Sequence, residues 1–225
     1  LGDHRWEAMI HPGGKLRPGR VVHVAPGFDV HIESVTERRT RIVRLACALD
    51  DSAAIEAHGH IPLPPYIHRA DAGADVERYQ TVYAREAGSV AAPTAGLHFT
   101  PELLARLTSQ GVQLADVVLH VGAGTFKPVE VDDVTQHVMH EEWYRLDAAT
   151  ASQLNAARAD GARLWAVGTT SVRTLESNVD AHGSFHASEG ETSIFIYPPY
   201  TFRAVDHLVT NFHLPRSTLL MLVAA

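Results

Sequence analysis

RLWAVGTTSVRTLES, residues 163–177, reads as a strand running into a helix. RLWAVG is a short apolar run of strand length, and the glycine at its end marks the turn. GTTS then places free backbone N–H groups and hydroxyls at the start of a helix that continues through SVRTLES. Such a helix start suits an anion, a carboxylate or a phosphate. The structural alternative is a Thr or Ser that only caps its own helix.

The same alternation extends in both directions. Upstream, residues 89–92 read as a short strand, followed by a helix with Thr100 as N-cap, Pro101 at its first position, Glu102 in its first turn and Gly111 as its stop. VQLADVVLHV, residues 112–121, reads as the next strand, and a second helix runs from an Asp147 cap to Gly161. Downstream, TSIFIY and HLVTNF read as strands, and a last helix starts near Pro215. Strands alternating with helices argue an α/β domain, open or barrel-like. The first part of the chain is different. RWEAMIH, RVVHVA, FDVHIESV and RTRIVRLA alternate apolar with polar, and Pro12-Gly13-Gly14, Pro18-Gly19 and Pro26-Gly27 separate them. Four short strands with tight turns predict a small antiparallel sheet or barrel. A short helix in LDDSAAIEAHGH, capped by Asp50 or Asp51 and ended by Gly59, closes this part. The Pro-rich IPLPPYI after it places a domain boundary at about residue 60, giving domains 1–60 and 61–225.

Of the 225 residues, 45% are hydrophobic and 20% charged, an ordinary globular composition able to bury a core without staples. The single cysteine, Cys47, excludes an internal disulfide and a Cys-rich zinc site, and fits a cytoplasmic location. No apolar run is long enough to span a bilayer, so no membrane partner is expected. Leu1 at the start and the apolar STLLMLVAA at the end suggest a piece of a longer protein. Net charge is −7, unevenly spread. Residues 1–44 hold 8 Lys/Arg against 5 Asp/Glu, net +3, and residues 45–225 hold 11 against 21, net −10.

Three strand ends carry small and polar residues: LHVGAGTF with His120, Gly122, Gly124 and Thr125; AVGTTSVRTLES with Thr169, Thr170, Arg173 and Glu176; VTNFHLPRST with Asn211, His213, Ser217 and Thr218. Ligands of α/β folds sit beyond the carboxyl ends of parallel strands, so these loops predict one site. GAGTF is too short for a dinucleotide fingerprint. HVMHEEW holds His137, His140, Glu141, Glu142 and Trp143. With His98 and His213 these could bind a metal, but the spacing departs from HExxH, and proton transfer or substrate positioning is the preferred reading; no metal is expected. In APTAGLHF, Thr94, Gly96 and His98 form either a close-approach loop or a simple turn. ERRTRIVR concentrates Arg38, Arg39, Arg41 and Arg44; on a strand 39 and 41 would share a face, and the cluster is either a phosphate contact or a solvated edge.

HGHIPLPPYI, ERYQTVYAREAGSVAAPTAGLHF, LHVGAGTFKPV, HVMHEEW, AVGTTSVRTLES, ETSIFIYPPY and TNFHLPRSTLLML together resemble the S-adenosylmethionine:tRNA ribosyltransferase-isomerases of queuosine biosynthesis. The resemblance is strong from Gly59 to Ala225 and loose over residues 1–48. It implies a (βα)-barrel-like catalytic domain, lacking its N- and C-terminal parts here, with a partial, inserted small antiparallel β-barrel domain at 1–60. The implied reaction moves and isomerises the ribosyl group of S-adenosylmethionine, a substrate and not a cofactor. The acceptor is 7-aminomethyl-7-deazaguanine in tRNA, and the products are epoxyqueuosine-tRNA, adenine and methionine. No cofactor is needed. Under this reading His98, His137, His140 and Glu142 are catalytic candidates. Thr94, Gly96, His120, Gly122, Gly124, Thr125, Thr169, Thr170, Arg173, Asn211 and His213 line the substrate site, with Phe126 or Trp143 available to stack on a base. Arg38, Arg39, Arg41 and Arg44 would meet tRNA, and the protein is expected to be a monomer. A metal-dependent (βα)-barrel hydrolase and a non-enzymatic RNA-binding module are the rival readings.

Overall fold

The structure, a computed structural model, describes residues 2–37, 39–64, 66–89, 91–122, 131, 133–139, 141–212 and 215–225. The chain folds as two compact units, Leu1–His60 and Ile61–Ala225.

In the first unit, strands β1 (Arg5–Ala8), β2 (Val21–Ala25), β3 (Phe28–Val35) and β4 (Arg41–Cys47) form one sheet in the order β1-β4-β3-β2. Every neighbouring pair is antiparallel. The register sets Phe28, Val30 and Ile32 opposite Cys47, Leu45 and Val43, which puts all six on one face. Helix α1 (Asp51–His58) covers part of that face, with Ala54 fully buried against Phe28 and Leu45. The α1 cap is Asp50, whose carboxylate accepts from Ser52 N and Ala53 N. Asp51 is used differently: it accepts from Trp6 Nε1 at 2.7 Å and pairs with His4 at 2.6 Å, fastening β1 to the helix. The sheet is not closed among the described residues.

The second unit is a mixed α/β assembly. It contains α2 (Asp75–Arg78), α3 (Pro101–Ser109), β5 (Val118–Leu119), β6 (Glu142–Leu146), α4 (Ala148–Ala159), β7 (Trp165–Val167), α5 (Thr169–Asn178), β8 (Ser188–Thr192), β9 (His207–Val209) and α6 (Thr218–Ala224). Helix starts follow local chemistry. Thr100 Oγ1 accepts from Leu103 N with Pro101 at the first position, and the Asp147 carboxylate accepts from Thr150 N. The strands depart from the pattern of a parallel α/β sheet. Among the described residues β5, β6 and β8 pair antiparallel, and only β7 and β9 run parallel. Helix α5 packs against β5, β6, β7 and β8, and its Val172 and Leu175 join Leu146, Leu154, Ala166, Phe185, Ile196 and Leu222 in the core.

Three expected strands are corrected. Of residues 112–121 only Val118–Leu119 finds a partner strand. At 89–92 no described residue is in a strand; Ser89 Oγ instead donates to Leu119 O and accepts from Val121 N, a side chain standing in for a ladder. Of the apolar TSIFIY only Thr192 pairs, as the last residue of the polar strand β8 (SEGET), and the segment then enters the core. The reason lies at Thr192, where the Oγ1 accepts Ile194 N while Arg173 takes the carbonyls of Thr192 and Ile194, so the ladder stops.

Two aspartates of this unit make stability depend on acid. The Arg69 guanidinium and the Ala72 N–H hold Asp75 down to about 2, and the His186 ring and the Ser184 N–H do the same for Asp180. A carboxyl held below its unfolded value contributes stability that is fully present above about pH 4 and is lost as pH falls through about 2. The melting temperature should therefore fall between about pH 4 and about pH 2. Asp75→Asn should lower it at about pH 5 and flatten that fall. A parallel profile for the variant, followed by circular dichroism, would remove Asp75 from the account.

Candidate functional site

The β7–α5 junction forms the base of the site in the second unit. Gly168 takes φ 87 as the α5 N-cap and makes no side-chain cap, so the first amides of α5, from Thr169 on, have no capping side chain. Its N–H donates to Val209 O, joining the carboxyl ends of the parallel pair β7 and β9. The start of α5 after Gly168 and the loop 210–211 therefore leave the sheet at one end. The third loop, 120–122, leaves an antiparallel strand, contrary to the expectation of three parallel strand ends.

Against this end lies the short 3-10 turn Thr94–His98. A β-carbon on Gly168 would come to 3.9 Å from Pro93 Cβ, which shows how near the residue before the turn is. His98 Nε2 donates to Asn211 Oδ1 across 3.3 Å, bridging the turn to the β9 loop. Gly96 is required by contact: a β-carbon there would lie 2.0 Å from the Tyr83 hydroxyl and 2.8 Å from Thr81 Cγ2. Tyr83 thus supports the turn, and burial raises its phenol above the usual range, with Asp116 adding to the effect.

One turn along α5 from Thr169 and Thr170, Arg173 enters a buried ion pair with Glu142. Glu142 is the first residue of β6 and stands opposite Thr192, the last of β8. Arg173 also donates through Nε to Ile194 O at 3.2 Å and through Nη2 to Thr192 O at 3.4 Å. Each guanidinium nitrogen is committed to protein, so Arg173 holds the end of the β6–β8 ladder against α5. The next residue of β6, Trp143, stacks on His120 with ring centroids 4.8 Å apart, and the His120 N–H donates to Trp143 O. Arg145, ion-paired with Glu86, lies 5.9 Å from the Trp143 ring centroid. His137 tilts against Phe195 at 5.1 Å, next to the Ile194 that Arg173 engages. Gly122 lies three residues past the end of β5.

The structure therefore gathers Thr94, Gly96, His98, Thr169, Thr170 and Asn211 around the start of α5. Glu142, Arg173, His120 and Trp143 gather one turn further along it. His140, Gly124, Thr125, Phe126 and His213 lie outside the described residues. Among the described residues, no three His, Cys, Asp or Glu side chains converge as a metal set.

In the first unit Arg39 is in a tight turn with φ 63, its N–H donating to Thr36 O, and β4 begins only at Arg41. Arg39 and Arg41 are thus not two residues of one strand face. Arg41 donates to the carbonyls of Gly13, Leu16, Arg39 and Thr40, which pins the loop before β2. Arg44 and Arg5 share Glu33. Arg38 lies outside the described residues.

Some contributors were not singled out from sequence. Gly88 and Tyr83 act by contact with residues 32 and 13 positions away, and the spacing of ERYQTVYAREAG carries no sign of that. Glu176 was visible as a polar residue near the β7 loop. Its role was not: the buried carboxylate accepts from Ala204 N, Val205 N, Arg203 N and Tyr200 OH.

The model of the family described as queuosine biosynthesis protein matches residues 1–225. The chain belongs to that family. Curated relatives named S-adenosylmethionine:tRNA ribosyltransferase-isomerase agree along the whole chain. The Symbiobacterium thermophilum protein is 54% identical over 226 residues, covering 100% of this chain and 66% of its own length. The Syntrophomonas wolfei protein is 52% identical over 227 residues, covering 100% and 64%. The chain thus spans about two thirds of the length of these relatives. A crystal structure of the S-adenosylmethionine tRNA ribosyltransferase from Thermotoga maritima is 35% identical, with a TM-score of 0.47 over 100% of this chain and 60% of that one. For this member of the queuosine biosynthesis family, no helix among the described residues is long and apolar enough to cross a membrane.

Proposed function

We propose that the protein carrying this chain is an S-adenosylmethionine:tRNA ribosyltransferase-isomerase. It would transfer the ribosyl group of S-adenosylmethionine to 7-aminomethyl-7-deazaguanine in tRNA, isomerise it, and release adenine and methionine. The observation that carries the reading is agreement at about half of all positions, end to end, with relatives bearing that name. The site's chemistry suits the reaction. The sulfonium of the donor supplies its own electrophile and acidifies the adjacent C5′ hydrogens, so the protein needs proton transfer and anchoring groups. The uncapped amides at Thr169 and Thr170 suit the methionine carboxylate. His98, joined to Asn211, and His137, packed on Phe195, would serve as acid–base groups, with His140 and Glu142 completing the proposal. Arg173 and Glu142 hold each other and are read as positioning the site. Gly122, Gly124, Thr125 and His213 would complete the nucleoside pocket.

The remaining features follow the same reading. The first unit would be part of an inserted β-barrel and the second part of a (βα)-barrel-like domain, each completed by chain beyond these residues. Arg38 and Arg39 would meet tRNA phosphate, whereas Arg41 is committed to carbonyls and Arg44 to Glu33. The protein would act as a cytoplasmic monomer without metal or redox cofactor.

The test is to incubate the whole protein with S-adenosylmethionine and tRNA carrying the aminomethyl base, and follow adenine by chromatography. Adenine release that requires the modified tRNA is expected. A well-folded protein that binds this tRNA and releases no adenine would sink the proposal.

A further inference from the structure

His120 is held by ring packing, as His58, His137 and His207 are, rather than by a side-chain hydrogen bond, and it lies beside the β6 end where Arg173 and Glu142 meet. His4, His23 and His186 bond the carboxylates of Asp51, Asp29 and Asp180, and His98 bonds Asn211. The His120 ring has no hydrogen-bond partner among the described residues, yet it is closely fixed. It stacks on Trp143 at 4.8 Å with an interplanar angle of 21°. Its backbone N–H is anchored on Trp143 O, and Ser89 Oγ bonds Leu119 O and Val121 N on either side of it. The imidazole occupies the space above Gly88, where a β-carbon would meet Cε1 at 2.3 Å and Nδ1 at 2.4 Å. Gly88 has φ 148, a conformation that side chains avoid. The residue His120 is half-buried, so its edge can be reached.

We infer that His120 is a catalytic base of the reaction proposed above, on which the inference rests, and that Gly88 is the residue that positions it. A ring held by packing, with its nitrogens engaged by no described residue, is pre-organised for a proton in transit. No carboxylate among the described residues engages its nitrogens. In the step, an imidazole nitrogen takes a C5′ hydrogen as a proton. The C–H bond breaks, an N–H bond forms, and the electron pair stays on C5′ beside the sulfonium as an ylide. The C5′ pair then forms a C4′=C5′ bond as C4′–O4′ breaks, the O4′ electrons form the C1′ carbonyl as C1′–N9 breaks, and the departing adenine takes the proton from the imidazolium.

The experiment compares the whole protein with His120→Gln, His120→Ala and Gly88→Ala in the adenine-release assay under saturating modified tRNA. Gln keeps much of the packing but cannot accept the proton, so kcat should fall at least about 10²-fold with KM for S-adenosylmethionine changed less than about threefold. Gly88→Ala, which displaces the ring, should also lower kcat with little change in KM. Imidazole added to His120→Ala should restore part of the rate, which a misfolded protein cannot show. A His120→Gln rate within about threefold of wild type, a loss confined to KM, or no rescue of folded His120→Ala would each overturn the assignment. Adenine release absent from the wild type would instead overturn the reaction itself.

Discussion

Glu142→Ala should cost about 3–5 kcal/mol of folding stability, because it leaves the Arg173 guanidinium buried without its carboxylate. Arg173 is 8% exposed and Glu142 4%, so neither can turn to water without opening the β6–β8 end. The second part of the expectation is less intuitive. Replacing both, as Glu142→Leu with Arg173→Met, should recover much of the loss, since desolvation opposes the pair's attraction. Recovery would be incomplete because Arg173 also bonds the Thr192 and Ile194 carbonyls. Urea unfolding of the two single variants and the double variant completes the cycle. A Glu142→Ala loss below about 1 kcal/mol would mean that Arg173 finds solvent and that the pair does not hold the site together. The functional consequence follows from position. Glu142 precedes Trp143, so loosening the strand end should also loosen the stacked His120.

Glu176→Ala should be comparably severe, on the order of 4 kcal/mol, because it strands several buried donors at once. Glu176 is 1% exposed. Its carboxylate accepts from Ala204 N at 2.9 Å, Arg203 N at 3.1 Å, Val205 N at 3.2 Å and Tyr200 OH at 3.2 Å. These donors belong to the segment that leads into β9, so α5 and β9 are stapled through one side chain. Glu176→Gln keeps one acceptor oxygen and should lose roughly half as much. Hydrogen exchange should show the loss at the amides of 203–205 first. Tyr200 offers an independent readout. Burial first, and then the Glu176 charge, raise its phenol, so Glu176→Ala should move its ultraviolet titration downward. Unchanged protection at 203–205 would show that the segment is held by other contacts.

What was legible in the sequence is what depends on near neighbours. Thr100 and Asp147 cap their helices through amides three residues away. Pro26-Gly27 turns between β2 and β3, and β3 and β4 alternate because α1 covers part of one face of their sheet. Family membership was legible for another reason: long stretches in order carry far more information than any single spacing. The tertiary structure alone decided which groups meet. Arg173 finds Glu142 across 31 positions, and Glu176 finds donors 24–29 positions downstream. Gly88 makes room for a ring 32 positions away. TSIFIY looked like a strand because apolar runs suit both a ladder and a core. Only the choice of partner for Thr192 and Ile194 separates the two, and that partner comes from α5. Local pattern specifies where a helix starts and where a chain turns. Which buried polar group satisfies another is set by packing between distant segments, and the site is built from such pairs.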